Sequence, residues 1–172
     1  MPTASQLDVR SAPAGDGYYH VTPNDDGTST TSFVPLADIL NVTGITARDV
    51  TPSAPGSLQK RDGVTCTRIE LNVDDTLNSQ QCLRNAADNE RSWGKGHWAF
   101  CKIGGTMAYA CAYQDVKVNS QIINNFQVTV DNQCGWPVVG FQRCTNNCAV
   151  SDLAVGRTSS GNSFCTSGFV GW

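Results

Sequence analysis

Eight of the 172 residues are cysteines, a side chain that can oxidise in pairs, ligate a metal or act as a nucleophile. They stand at Cys66, Cys82, Cys101, Cys111, Cys134, Cys144, Cys148 and Cys165, an even set confined to the second part of the chain. No Cys-x-x-Cys pair occurs and only two histidines are present, so tetrahedral zinc lacks its usual ligand spacing. Unpaired thiols in this number would not survive an oxidising compartment, whereas four disulfides would stiffen a small secreted domain. Disulfides are therefore expected for all eight, with the connectivity left open, and neither a metal nor a cofactor is expected.

General acid–base chemistry near neutral pH draws first on histidine. His97, next to Trp98, is the histidine of the cysteine-rich part, and a structural or surface role accounts for it; His20 lies far upstream. No Gly-x-Ser-x-Gly elbow is present. The carboxylates Glu70, Asp74, Asp75, Asp88 and Glu90 are explained by a helix cap and a solvated helix face, and the chain offers little length for a cleft with opposed carboxylates. No catalytic residue is assigned and the protein is read as a non-enzyme. The tryptophans Trp93, Trp98, Trp136 and Trp172 are binding candidates, although burial in a small core is the simpler use of an indole. A coplanar aromatic row would favour a glycan; an irregular patch with a polar rim would favour a protein.

Net charge is −3 and no Lys/Arg cluster is available to neutralise a row of phosphates, which argues against nucleic acid. No stretch approaches the roughly 20 apolar residues of a membrane span. The opening "MPTASQLDVRSAPAGDGYY" has no apolar run suited to secretion, so a signal segment is expected to have been removed and Met1 supplied for expression. A secreted monomer follows as the expectation.

The stretch "TPSAPGSLQKR" has the Pro, Ser and Gly content of an exposed linker, where proteolysis concentrates. It carries the dibasic pair Lys60–Arg61 and precedes the first cysteine, which divides the chain into a pro-domain, residues 1–61, and a mature domain, residues 62–172. In the first part, "SFVPLADILNVTGI" is consistent with a weak strand and a short helix after Pro35. Its apolar group of Phe33, Val34, Leu36, Ile39, Leu40 and Ile45 is too small for a core of its own but could dock on a neighbour, which leaves this part either packed on the second or disordered. "LQKR" before a cysteine-rich domain resembles the kexin-type junction of secreted fungal effectors. That resemblance implies cleavage by a kexin-type protease at Leu58, Lys60, Arg61 and Asp62, with Asp62 the first mature residue. Asn41, in the sequon "NVT", is a glycosylation candidate within the pro-domain.

In the second part, Ile69, Leu71 and Val73 alternate with polar residues as in a half-buried strand. Asp74 or Asp75 is expected to cap a helix running from Thr76 to about Ser92, with Leu77, Leu83, Ala86 and Ala87 on one face and Cys82 tying it to the sheet. "HWAFCKI" and "TMAYACAYQ" read as strands joined by a Gly104–Gly105 hairpin. Along the second, Met107, Tyr109, Cys111 and Tyr113 point one way while Ala108, Ala110 and Ala112 form a smooth face against which another element can pack closely. A helix is expected from about Ser120, capped by Asn119 or Ser120 and stopped near Gly135. "PVVGFQRC" and "SFCTSGFVGW" are expected to be strands, separated by a polar loop, "TNNCAVSDLAVGRTSSGN". This order predicts an α+β fold: a disulfide-rich two-layer α/β sandwich, an antiparallel sheet with two helices, preceded by a partly ordered pro-domain.

The run "GHWAFCKIGGTMAYACAYQ", a helical stretch and then "QCGWPVVG" resembles the centre of the fungal killer-protein-4 toxin family and of the related necrosis-inducing effector domain. The resemblance implies a small α/β effector or toxin acting on another organism. The leading expectation is a secreted virulence effector of a fungal pathogen that acts on, or is recognised by, a host plant component in the apoplast or xylem. The alternatives are an antimicrobial protein acting on a membrane channel of competitors and a cell-wall glycan-binding module.

Overall fold

The computed structural model describes residues 15–43, 63–88, 92–145 and 150–165, with the side chains of residues 40–43 excepted. In chain order these form β1 (Gly17–Pro23), β2 (Ser29–Pro35), α1 (Leu36–Thr43), β3 (Val64–Glu70), α2 (Val73–Ala87), β4 (Ser92–Trp93), β5 (Trp98–Ile103), β6 (Thr106–Ala112), β7 (Val116–Lys117), α3 (Ser120–Cys134), β8 (Val138–Cys144) and β9 (Leu153–Ser159). Seven strands make one sheet in the order β2-β1-β5-β6-β9-β8-β3, and β4 pairs separately with β7. Every neighbouring pair in the large sheet is antiparallel. The fold is thus α+β and cysteine-rich, with three disulfides among the described residues.

The two-residue period of β6 sets how the sheet is covered. Ala108, Ala110 and Ala112 belong to the core shared with Cys82, Leu83 and Ala87 of α2 and with Ile123 and Phe126 of α3. Without side chains beyond Cβ on that face, the helices can sit close to the strands. Met107, Tyr109 and Cys111 project the other way, with Tyr113 beyond them, into a second apolar cluster with Tyr19, Phe100 and Phe164.

Local signals account for the helices. Asn72 caps α2, its side-chain oxygen accepting from the Asp75 N–H at 3.0 Å. Asp74 and Asp75, the expected caps, instead occupy the first turn, where negative charge suits the helix dipole. The helix ends at Ala87 rather than running on to Ser92, which enters β4, and Leu77 is 39% exposed rather than part of the buried face. Helix α3 matches the sequence expectation closely: Asn119 accepts from the Ile122 N–H at 2.9 Å, and Gly135, at φ +82°, closes it.

Three further expectations need correction. Strand β3 does not present a half-buried alternating face. Ile69 is 51% and Val73 52% exposed, because β3 is an edge strand with an irregular register against β8, and Val73 already opens α2. The segment read as a polar loop contains β9, which lies between β6 and β8 and is buried along all but its last residue. A buried arginine, Arg157, and the small residues Ala154 and Gly156 conceal that strand's apolar period. Finally, residues 163–165 are not a strand; residues 166–172 lie outside the described residues.

The described N-terminal residues pack on the rest of the chain, mainly through β1. Tyr18, Tyr19 and Val21 are buried, and β1 pairs along β5 from Gly17 opposite Lys102 to Val21 opposite Trp98. The helix after Pro35 is present, with Ile39 buried in the helix-side core and Leu36 packed against it. Phe33 and Val34 remain 39% and 37% exposed, since β2 is the outer edge of the sheet. The Leu40 side chain and Ile45 lie outside the described residues.

Three disulfides lie wholly within the described residues. Cys66–Cys134 joins β3 to the end of α3, Cys82–Cys101 joins α2 to β5, and Cys111–Cys165 joins β6 to the segment after β9. Cys144 is also disulfide-bonded, whereas Cys148 lies outside the described residues. All three bridges fall on the C-terminal side of Arg61. The strands β1 and β2 contain no cysteine and are held by hydrogen bonds and side-chain packing.

Candidate functional site

A cleft of about 1140 Å³ where the end of α2 meets the start of α3 is lined by Arg84, Asp88, Lys117, Asn119, Ser120 and Asn124. Two further places combine concavity or polarity with accessible side chains. The first is a groove of about 340 Å³ on the sheet face away from the helices, between β3 and the segment held by Cys165. Tyr109, Phe141 and Phe164 supply apolar surface there, while Thr65, Thr67 and Asn162 bring polar groups. The absence of a side chain at Gly156 makes the floor possible: a Cβ there would stand 2.4 Å from the Phe141 Cβ and 2.8 Å from the Tyr109 hydroxyl. Exposed Ile69 also lines the groove.

The phenols of this groove are held protonated. Burial pushes Tyr109 far above its ordinary range, and neighbouring Tyr113 adds to the rise. Burial also raises Tyr113, opposed by the Arg143 guanidinium, which lies 3.8 Å from the centre of its ring. Such groups offer neutral hydrogen bonding and aromatic surface, not an anionic nucleophile.

The second place is the seam between β1 and the β4–β5 connection. His20 Nε2 lies 3.2 Å from His97 Nδ1, and His20 Nδ1 lies 3.3 Å from the Tyr18 hydroxyl. The His20 ring packs on Trp93, with centroids 5.1 Å apart. Here the structure joins the two histidines of the chain, which are 77 residues apart in sequence. On the other face of β1, Tyr19 is sandwiched between Phe33 at 4.6 Å and Phe100 at 4.7 Å.

The remaining candidates are scattered. Trp93 is buried in the helix-side core, and Trp98 stacks on Phe100 and meets Phe164 edge-on, on the opposite side of the sheet. Trp136 is 39% exposed and lies over the Arg157 guanidinium, 5.3 Å from ring centroid to Cζ. These three occupy separate settings rather than one row, and Trp172 lies outside the described residues. So do Leu58, Lys60, Arg61 and Asp62, and the Asn41 side chain on α1.

Several carboxylates hold the fold together. Asp75 accepts from the Gly105 N–H at 3.0 Å and Asp16 from the Gly104 N–H at 3.1 Å, so the β5–β6 turn is gripped by α2 and by the N-terminal segment. Asp88 accepts from the Ser120 N–H at 3.1 Å, fastening the end of α2 to the start of α3. Glu90 lies outside the described residues. No cluster of three or more His, Cys, Asp or Glu side chains suited to a metal occurs among the described residues. No described helix is long and apolar enough to cross a membrane.

Sequence reasoning missed both Arg157 and the histidine contact. Arg157 is fully buried; it ion-pairs with Asp131 and donates from Nε to the Val138 carbonyl at 2.7 Å and from Nη2 to the Gly135 carbonyl at 3.0 Å. It thereby joins the end of α3 to β8 and β9. The run "GYYHVT" has an alternation from which β1 could have been read, but nothing local pairs His20 with His97.

Comparison with known proteins finds no family that matches the chain, no similar curated protein and no matching solved structure.

Proposed function

We propose that this chain is a secreted fungal virulence effector, made as a pro-protein, that acts on or is recognised by a host plant protein in the apoplast or xylem. The reading treats residues 1–61 as a pro-domain cut by a kexin-type protease after Arg61, and residues 62–172 as a mature two-layer α/β sandwich working as a monomer without catalysis. One observation carries it: every described disulfide ties elements downstream of the cut, whereas the upstream strands are attached without a covalent crosslink. Scission would therefore leave the mature domain locked and make its N-terminal partner separable. The groove favours a protein target over a glycan, because its apolar floor has polar groups at the edge and the described tryptophans form no stacking row.

Protease-cut and uncut protein should be infiltrated into leaves, added to competing fungi and mixed with insoluble polysaccharide. A leaf response stronger for the cut form is expected. Silent leaves with arrested fungal growth would overturn the reading in favour of a killer-toxin-like action on a competitor's membrane channel, and retention on polysaccharide alone would replace it with cell-wall glycan binding.

A further inference from the structure

All of β1 and β2 lie upstream of the proposed cut, and no cysteine precedes Cys66, so after scission only hydrogen bonds and packing join these strands to the rest of the sheet. Yet β1 is an inner strand, with β2 on one side and β5 on the other. Its departure would turn β5 into an unpaired edge, and such a row of free N–H and C=O groups is a template for another strand.

The two faces of β5 define what that strand must carry. Towards the helices β5 offers small partners: Cys101 lies opposite Tyr18 and Ala99 opposite His20, so the incoming strand supplies the bulk there. On the other face the residues of β5 are aromatic. Phe100 lies opposite Tyr19 and Trp98 opposite Val21, and the Tyr19 and Phe100 rings are stacked 9° from parallel with centroids 4.7 Å apart. The aromatic surface continues beyond them, since Trp98 lies on Phe100 at 5.7 Å and both rings meet Phe164 edge-on. Tyr19 is wholly buried. The ring that covers its other side, Phe33 at 4.6 Å, belongs to β2 and travels with the same segment.

We propose that β1 is a place-holding strand: scission makes it exchangeable, and the β5 edge then receives an extended segment of the host protein, with an aromatic side chain where Tyr19 stands and a branched apolar one where Val21 stands. The proposal rests on the processing and host-protein readings above. Strand addition of this kind combines main-chain hydrogen bonds with side-chain pockets at alternate positions. What scission changes is concentration. Within one chain, a tethered segment competes for its site at an effective concentration on the order of millimolar. In cut protein at about micromolar concentration it competes only at its own free concentration, so an incoming strand meets up to roughly 1,000-fold weaker competition. The uncut chain thereby keeps the edge closed.

The full chain should be cut with a purified kexin-type protease, and a second full chain, with residues 55–61 replaced by the site of another sequence-specific protease, cut with that enzyme; a denaturing gel verifies both scissions. The probe is a fluorophore-labelled synthetic peptide of residues 15–35, which spans β1 and β2, followed by anisotropy and native mass spectrometry. Cut protein is expected to take up the peptide and release its own N-terminal fragment, at peptide concentrations at least about 100-fold below those needed with uncut protein. A Tyr19→Ser peptide should require at least about tenfold more, because ring burial and stacking are both lost, and Tyr19→Phe, which keeps the ring, should lose less. Infiltrated in excess with cut protein, the parent peptide should suppress the leaf response and the Tyr19→Ser peptide should not. Equal uptake by cut and uncut chains, no uptake by verified cut protein, indifference to Tyr19→Ser, pairing of trimmed domains with one another in place of the peptide, or a leaf response that persists with the peptide bound would each overturn the proposal. A kexin-type protease that fails to cut, with exchange intact in the chain carrying the other site, counts against the processing reading alone. Leaves silent to cut protein count against the effector reading, and peptide uptake with its dependence on Tyr19 then decides the strand site.

Discussion

Replacing Arg157 with methionine tests the claim that one buried cation joins α3 to the last two strands of the sheet. The guanidinium has no exposed side-chain surface, whereas the Asp131 side chain keeps 28% of its own. Methionine fills most of the stem's volume but strands the Val138 and Gly135 carbonyls and leaves Asp131 without its counter-charge. Removing one member of a buried ion pair costs about 3–5 kcal/mol. The lower half of that range is expected, because Asp131 can recover part of its hydration. Against a typical total of roughly 5–15 kcal/mol, this is a large share of a domain's stability. Urea unfolding followed by tryptophan fluorescence is the assay, since urea adds no ions and Trp136 lies over the guanidinium. Asp131→Asn should also destabilise, by stranding the arginine. The double variant should be less destabilised than the sum of the two by about 1–3 kcal/mol, as each single change orphans what the other removes. A loss below about 1 kcal/mol for Arg157→Met, or additivity within about 0.5 kcal/mol, would refute the reasoning.

Three further outcomes are expected. Because burial raises Tyr109 above its unfolded value near 10, its contribution is fully present below about pH 10 and is lost as pH rises further, so Tyr109→Phe should move the alkaline unfolding midpoint upward; circular dichroism between pH 9 and 12 checks this, and an unchanged midpoint refutes it. Gly104→Ala should destabilise by about 1–3 kcal/mol in urea, since the residue has φ +53° and an added Cβ would stand 2.3 Å from Asp75 Oδ2; adding Asp75→Ala should recover the steric part but not the backbone strain. Lys60→Ala with Arg61→Ala should leave one uncut species after secretion, and normal processing on a gel would remove the kexin assignment.

Signals confined to neighbouring residues were the readable ones. The Gly104–Gly105 turn, the alanine face of β6, and the Asn119 and Gly135 ends of α3 all rest on backbone geometry or side-chain period within a few positions. Burial of Ile69 was misjudged for a different reason: alternation shows that a strand has two faces, but not that another layer covers either. The β9 segment was missed because its inward positions include Arg157, whose charge is matched by Asp131 on a helix 26 residues earlier. Oxidation of the cysteines followed from their count and context, while their pairing depended on which elements came to lie side by side.

By itself, then, the amino-acid order determined the α+β class, the presence of two helices and the limits of the second, the short helix after Pro35, and a stock of cysteines suited to disulfides. These follow from local propensity and composition. Tertiary structure decided that β1 enters the same sheet as the cysteine-rich part, that a buried arginine anchors its centre, and that His20 meets His97 across the proposed seam. Such contacts join residues far apart in the chain, so their geometry exists only after strand order and register have been set by packing of the whole sheet.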